Sequence, residues 1–350
     1  MSACTVFSVA LRGIATAIPP RAESTRASSG RFGGEDLAKI ATSTGVETRV
    51  VADAACCASD LCHAAAERLL TELGWDRSTI SALVFVSQTP DYILPATSCL
   101  LQHRLSLPTT CAAFDVNLGC SGYVYGLWIA ASLVAAGQRR VLLLVGDTIN
   151  KLVSPADRAT ALLFGDAGSA TALEADPEAG PMHFVLGTNG AGGRHLIVPA
   201  GGARQPHTAD TAVRTARENG NVRSDDDLFM AGAEIFAFTL KEVPPLIDQA
   251  LAAAGWTKDE VDHIVLHQAN RFMLQHLARK MNLDESKVTI ALEQFGNTSC
   301  ASIPLAISSA LRADARRKFL LAGFGVGYSW AALSFAPDPF LVIPPFVLGQ

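Results

Sequence analysis

The chain has 350 residues, a formal net charge of −5 and 49% hydrophobic residues, with a mean hydropathy of +0.26. This length suits two ordinary domains or one large fold in two halves, and the apolar fraction asks for an extensive core. A net acidic chain without a basic cluster argues against nucleic acid as a partner, and no apolar run reaches the roughly 20 residues that span a membrane.

Met1-Ser-Ala-Cys-Thr5 has no basic segment, and Arg12 and Gly13 interrupt the apolar stretch that follows, so no secretory signal is expected. The eight cysteines, Cys4, Cys56, Cys57, Cys62, Cys99, Cys111, Cys120 and Cys300, show no zinc-binding spacing. They read as free thiols in a reducing cytoplasm. Asp60 to Leu73 places Leu61, Ala65, Leu69 and Leu73 on one helical face, and Gly74 stops it. Ser81 to Ser87 reads as a strand, Thr97 to Leu105 as a helix and Cys111 to Val116 as a strand. The uncharged stretch Ser121 to Gln138 reads as a buried helix. Arg140 to Val145 is a buried strand ending in Gly146-Asp147, and Ala170 to Leu173 is a further short strand. Glycine-rich Gly187 to Ser224 reads as a long surface excursion.

The plan then repeats. Leu240 to Ala254 is helical and closed by Gly255, His263 to Leu266 is a strand, and Phe272 to Met281 is helical. Ser299 to Leu311 is a small-residue helix, and Lys318 to Phe324 is a strand entering a glycine turn. This alternation predicts an α/β fold with mainly parallel sheets covered on both faces. It divides the chain into halves at 1–178 and 179–336, with a tail at 337–350. In the tail, prolines break up the apolar runs Phe340-Leu-Val-Ile343 and Phe346-Val-Leu348, which excludes a regular helix. The tail must dock on its own protomer, dock on a partner or lie exposed.

Four motifs carry chemistry. Cys120 lies in Asp115-Val-Asn-Leu-Gly-Cys120-Ser-Gly122, between a strand and a helix. A thiol at a helix N-terminus meets unpaired backbone N–H groups, which can lower its pKa from about 8.5 by a unit or more. His267-Gln-Ala-Asn270 follows a buried strand, Gly296-Asn297-Thr-Ser299 opens a helix, and Gly323-Phe324-Gly325-Val326-Gly327 ends a strand. Strand ends of this kind gather at ligand sites in α/β folds. A thiolate can hold an acyl group as a thioester, while a neutral His and an Asn can both donate to a carbonyl oxygen that gains negative charge. Taken singly, each motif has an ordinary structural explanation: a buried thiol, a satisfied histidine, an N-cap, a tight turn. All four in this order are specific.

With these motifs the chain resembles the β-ketoacyl-ACP synthase III (FabH-like) family of thiolase-superfamily condensing enzymes, from about residue 8 to 336. Further matches are Thr44-Gly-Val-x-x-Arg49, Ser87-Gln-Thr-Pro-Asp-Tyr-x-Leu-Pro-Ala-Thr97, Phe164-Gly-Asp-Ala-Gly168 and Met230-x-Gly232. The resemblance implies a duplicated thiolase fold, a five-layer αβαβα sandwich, in a homodimer. It implies that Cys120 is acylated by a primer thioester and that His267 and Asn297 promote decarboxylation of a malonyl thioester. The backbone N–H groups of Cys120 and Val326 would form the oxyanion hole. Leu94, Phe324 and Gly325 would border the substrate, with Leu94 reaching across the dimer. Acyl carrier protein (ACP) or coenzyme A would carry the substrates, and no metal or bound cofactor is implied.

Several positions depart from the family pattern. Lys39 and Ser43 stand where housekeeping members have the Trp and Arg that sandwich the adenine of CoA. Phe272 replaces a carrier-binding Arg, leaving Arg271 as the neighbouring candidate for carrier or CoA binding. Val326 replaces a Gly, and the cysteine context is Gly-Cys-Ser-Gly. These changes suggest a pathway-specific ketosynthase, for a specialised lipid, polyketide or quinolone-type product, with an ACP-bound or unusual primer. Alternatives are a non-decarboxylative acyltransferase or head-to-head condensing enzyme using the same residues, and a non-catalytic ketosynthase partner subunit.

Overall fold

The structure is a computed structural model that describes residues 1–30, 32, 40–312 and 314–349. Along the chain run β1 (Ser2–Val6), β2 (Val9–Ile18), α1 (Ala58–Leu73), β3 (Ala82–Val86), α2 (Thr97–Arg104), β4 (Ala112–Val116), α3 (Gly122–Ala135), β5 (Arg140–Asp147) and β6 (Ala167–Ala175). They continue as β7 (Met182–Thr188), α4 (Gly232–Ala254), β8 (His263–Leu266), α5 (Arg271–Lys280), α6 (Ser302–Ala310), β9 (Phe319–Gly325) and β10 (Ser329–Phe335).

Two sheets form. One has the order β2-β6-β5-β3-β4, the other β1-β7-β10-β9-β8. In the first, β2/β6 and β6/β5 are antiparallel while β5/β3 and β3/β4 are parallel. In the second, β7/β10 and β10/β9 are antiparallel and β9/β8 is parallel. The sheets are therefore mixed, which corrects the expectation of mainly parallel ones. Runs of apolar residues report burial on both faces, and antiparallel strands between two helical layers carry the same signal. The run β2-β6-β5-β3 repeats as β7-β10-β9-β8 with the same directions, so the duplication is in the topology. The first strand, β1, pairs with β7 and so joins the second sheet.

Alternate residues of each strand feed different layers. Leu83, Phe85, Leu142 and Leu144 pack outward on α1 with Leu61, Ala65 and Leu69. Val84, Val86 and Leu143 point inward to α3 and α6, where they meet Val265 and Leu321 of the second sheet. Ile264, Leu266, Leu320 and Ala322 pack outward on α4, against Val243, Leu246 and Ile247. The result is helix, sheet, helices, sheet, helix: the five-layer αβαβα arrangement of the thiolase fold.

Helix α4 starts at Gly232 rather than Leu240 and runs through Pro244 and Pro245. A proline at 244 cannot donate to the Leu240 carbonyl, and Lys280 Nζ donates to that oxygen instead, at 3.0 Å. The region from Gly187 to Ser224 is irregular as expected, apart from the end of β7 and short strands such as Leu196–Ile197 and Thr215–Ala216. The tail docks on its own protomer. Leu341–Val342 and Phe346–Val347 pair in parallel with β2, and Phe340 and Ile343 are buried.

Candidate active site

Cys120 sits in the tight link between β4 and α3, two residues before the helix begins at Gly122. It is buried. The strand β9 presses its backbone against it: a Cβ on Gly325 would stand 2.7 Å from both Cys120 Cβ and Sγ. Only glycine fits there, and its φ of +158° also disfavours a side chain. Ser121 turns away from the site, its Oγ 2.6 Å from Ser329 Oγ. Burial pushes the Cys120 thiol up from its ordinary 9.0 to about 11, and the negative Asp147 adds to the rise. Backbone N–H groups of Val326 and of Cys120 itself hydrogen-bond the sulfur and work the other way. The expected lowering at a helix N-terminus is thus overturned, because desolvation of the thiolate outweighs the N–H groups. Both N–H groups thus lie beside the sulfur.

His267 leaves β8 with its backbone N–H donating to Ala322 O at 2.8 Å. Its Nδ1 lies 2.7 Å from Ser302 Oγ, at the start of α6. The ring meets Phe324 edge to face, centroids 5.9 Å apart. Burial drives its pKa from 6.5 down to about 3, against a backbone hydrogen bond with Ser299, so the imidazole is neutral at physiological pH. Gln268 braces the loop: its Nε2 donates to Leu266 O and Thr289 O at 2.7 and 3.1 Å, and its Oε1 accepts from Ala291 N at 2.8 Å.

Asn297 is clamped by the segment Leu163–Gly165. Its N–H donates to Leu163 O at 2.9 Å, and its carbonyl accepts from Gly165 N at 3.0 Å. Its Oδ1 accepts from Ser299 N at 3.0 Å, which turns Nδ2 towards Ala269 O at 3.3 Å. The clamp is itself held. Arg49 donates to Phe164 O at 3.4 Å and is paired with Glu23 and Asn150. Asp166 accepts from Ala52 N, Asn150 N and Asn150 Nδ2 at 2.8, 3.1 and 3.0 Å, and burial pushes its carboxyl up to about 6. The Arg49 and Asp166 motifs, far apart in sequence, thus meet behind Asn297.

Cys120 lines two cavities. One, of about 80 Å³, also has His267, Asn297, Phe324 and Gly325 in its wall. The other, of about 600 Å³, is bounded by Ile149, Leu152, Leu196, Leu228 and Val326. Leu94 lines neither; it is 79% exposed beside Tyr92 and Ile93. Arg271 opens α5 outside both walls, paired with Glu293. Phe272 is exposed and packs on Phe236 and His276. Lys39 lies outside the described residues, and Ser43 Oγ donates to Ile40 O at 3.1 Å.

Sequence reasoning missed Ser302, the partner of the imidazole, because Ser299 and Ser302 are equally good candidates by position. It also missed the role of Asp147. That residue is fully buried and accepts from Ser87 Oγ, Gln88 N, Thr89 Oγ1 and Cys300 Sγ. Its signal was a charged residue ending an apolar strand. Among the described residues no cluster of His, Cys, Asp or Glu is arranged to hold a metal ion, and no helix is long and apolar enough to cross a membrane.

The site has known counterparts. The family model for 3-oxoacyl-[acyl-carrier-protein (ACP)] synthase III matches residues 114–190, and that for its C-terminal part matches 251–336. A β-ketoacyl-[acyl-carrier-protein] synthase III from Caldanaerobacter subterraneus is 34% identical over 298 residues, 84% of this chain and 87% of that protein. The crystal structure of a 3-oxoacyl-(acyl-carrier protein) synthase from Burkholderia xenovorans has a TM-score of 0.93 at 43% identity, covering 99% of each chain. A priming β-ketosynthase of a polyketide biosynthetic pathway reaches 0.81 at 27% identity, over 95% of this chain and 98% of that one. The chain therefore belongs to the β-ketoacyl-ACP synthase III family, the FabH-like acyltransferases of the thiolase superfamily that act as condensing enzymes.

Proposed function

We propose that this enzyme joins an acyl primer, held on Cys120, to the carbanion of a malonyl thioester, with malonyl-ACP as the extender. The observation that carries this reading is the convergence of Cys120, His267 and Asn297 on one small cavity, with two backbone N–H groups at the sulfur. The Cys120 sulfur attacks the primer carbonyl, the bond to the carrier sulfur breaks, and the departing thiolate takes the proton that the thiol gives up. In the second step the malonyl carboxylate leaves as CO2. Its bonding electron pair passes to the neighbouring carbon as an enolate. Ser302 Oγ lies 2.7 Å from Nδ1; in the tautomer in which that hydroxyl donates and the ring proton sits on Nε2, neutral His267 and the Asn297 amide can both donate to the enolate oxygen. The enolate carbon attacks the acyl-Cys120 carbonyl, whose oxygen turns to the N–H groups of Cys120 and Val326. Collapse expels the Cys120 thiolate, which takes a proton from solvent water, and releases the β-ketoacyl product. No residue is asked to hold a metal or a bound cofactor.

The larger cavity receives the acyl chain, and the smaller one the malonyl unit. A homodimer accounts for the bare apolar loop Tyr92 to Leu94 and for β4, an edge strand with Phe114 partly exposed. Leu94 then reaches into the neighbouring protomer. Arg271, next in sequence to Asn270 of the smaller cavity's wall, meets the carrier or CoA, the setting is cytoplasmic, and the chain divides at about residues 178 and 336. The test is CO2 release from malonyl-ACP in the presence of primer. His267→Ala and Asn297→Ala should each lower it by about 10²–10³-fold, the loss typical of one anion-stabilising donor, while Cys120 still acylates. Condensation or transfer without CO2 release would favour the acyltransferase alternative.

A further inference from the structure

Two carboxamides, Gln88 and Asn117, stand in the wall of the larger cavity together with Cys120. The Gln88 backbone is pinned, its N–H donating to Asp147 Oδ1 at 2.7 Å. Its side-chain amide has no hydrogen-bond partner among the described residues, and neither has that of Asn117. The Gln88 amide occupies space that a side chain at 119 would need: a Cβ on Gly119 would stand 2.2 Å from Gln88 Oε1. Glycine at 119 thus admits the amide directly beside Cys120. The far wall is apolar, with Ile149, Leu196 and Leu228 buried there.

Gln88 is half-buried and Asn117 exposed, so solvent reaches both amides in the empty cavity; an acyl chain that fills it displaces that water and leaves them unsatisfied unless it pairs with them. In the single protomer the cavity is about 600 Å³, within the range of about 300–1,000 Å³ that holds drug-sized ligands, and one leucine side chain entering from the neighbouring protomer would still leave room for more than an acetyl group. We propose that Gln88 and Asn117 form a polar subsite for an acyl primer longer than acetyl, bearing an oxygen substituent close to its thioester carbonyl, as in an α- or β-hydroxyacyl or oxoacyl chain. The inference rests on the reading of Cys120 as the acylated thiol. The reaction at that thiol is the thioester exchange given above, and the new oxygen takes no part in it beyond its hydrogen bonds.

The experiment measures the rate of Cys120 acylation by intact-protein mass, with acetyl-CoA, hexanoyl-CoA and β-hydroxyhexanoyl-CoA and their ACP counterparts, and without any malonyl thioester. Wild type should prefer the hydroxylated chain over the plain one by about tenfold, the effect of one good hydrogen bond. Both six-carbon chains should outrun acetyl. Gln88→Leu, similar in volume, should reduce the ratio of hydroxylated to plain rates by the same factor. Adducts that form equally from plain and hydroxylated chains, with a ratio unmoved by Gln88→Leu, would overturn the subsite while leaving Cys120 as the nucleophile. A faster rate with acetyl would overturn the size assignment. No adduct from any donor would overturn the nucleophile reading itself, and the subsite with it.

Discussion

The two cavities that meet at Cys120 are built on opposite principles. The smaller one brings together neutral polar donors, each held by several hydrogen bonds: His267 by Ser302 and Ala322, Asn297 by Leu163, Gly165 and Ser299. The larger one is walled mostly by aliphatic side chains, among them Leu196, Ile197 and Val198 of the irregular segment and Leu228 just after it. Rigid polar geometry suits the stabilisation of a developing charge, because the donors need not reorganise at the moment of reaction. Aliphatic walls select by volume and burial, and discriminate weakly between neighbouring chain lengths. On this account the smaller cavity determines the chemistry and the larger one determines the primer.

The sharpest way to break that division is Asn297→Asp. It keeps the shape and replaces a donating amide with a carboxylate that repels the enolate. CO2 release should fall by at least about 10³-fold, while Cys120 acylation persists. Loss of acylation to the same extent would erase the division. Leu228→Trp tests the other side: filling the aliphatic wall should lower condensation with a long primer by about 10²-fold, in line with overpacking penalties. The rate of malonyl decarboxylation on an already acylated enzyme should fall far less. Ser302→Ala should cost about tenfold in CO2 release by freeing the imidazole to adopt the other tautomer. Its KM for malonyl-ACP should stay near the wild-type value, whereas a merely structural lesion would raise KM as well.

The smallest expected effect is on stability. His267 has a folded pKa of about 3 against an ordinary 6.5, so the unfolded chain binds the extra proton between these values. Its stabilising contribution is present above pH 6.5 and is lost as pH falls towards 3. Between pH 6.5 and 5 this amounts to about 2 kcal/mol. Asp166, raised to about 6, acts in the opposite direction, since its contribution is lost as pH rises through 6. A neutral replacement, His267→Gln, should therefore show a smaller fall in Tm between pH 7 and 5 than wild type. An equal fall would remove His267 from the acid-labile groups.

Much of this was legible in the sequence, and the reasons differ from place to place. The strands Ala82–Val86 and Arg140–Asp147 are short apolar runs between turn signals, and their boundaries followed. Strand direction did not, because burial on both faces leaves the same residue pattern in parallel and antiparallel strands. Helix α4 was begun at Leu240 although the paired prolines lie inside that predicted span; the missed first turns, residues 232–239, open on a glycine and hold Phe236, Phe238 and Thr239, residues of modest helix propensity. Cys120, His267 and Asn297 stood out by their motifs, yet only the structure could bring them to one cavity. The direction of the Cys120 pKa shift was misjudged, because helix position is written in the sequence and desolvation is not. Arg49 and Asp166 were recognised by motif alone; their task, bracing the clamp on Asn297, depends on contacts made across the fold.

The most direct test of the central claim is intact-protein mass spectrometry of wild type and Cys120→Ala, each incubated with an acyl thioester and then with malonyl-ACP. The account predicts an acyl adduct on wild type alone, discharged as β-ketoacyl product with one CO2 released per turnover. An adduct that survives in Cys120→Ala, or one on wild type that malonyl-ACP leaves untouched, would contradict it.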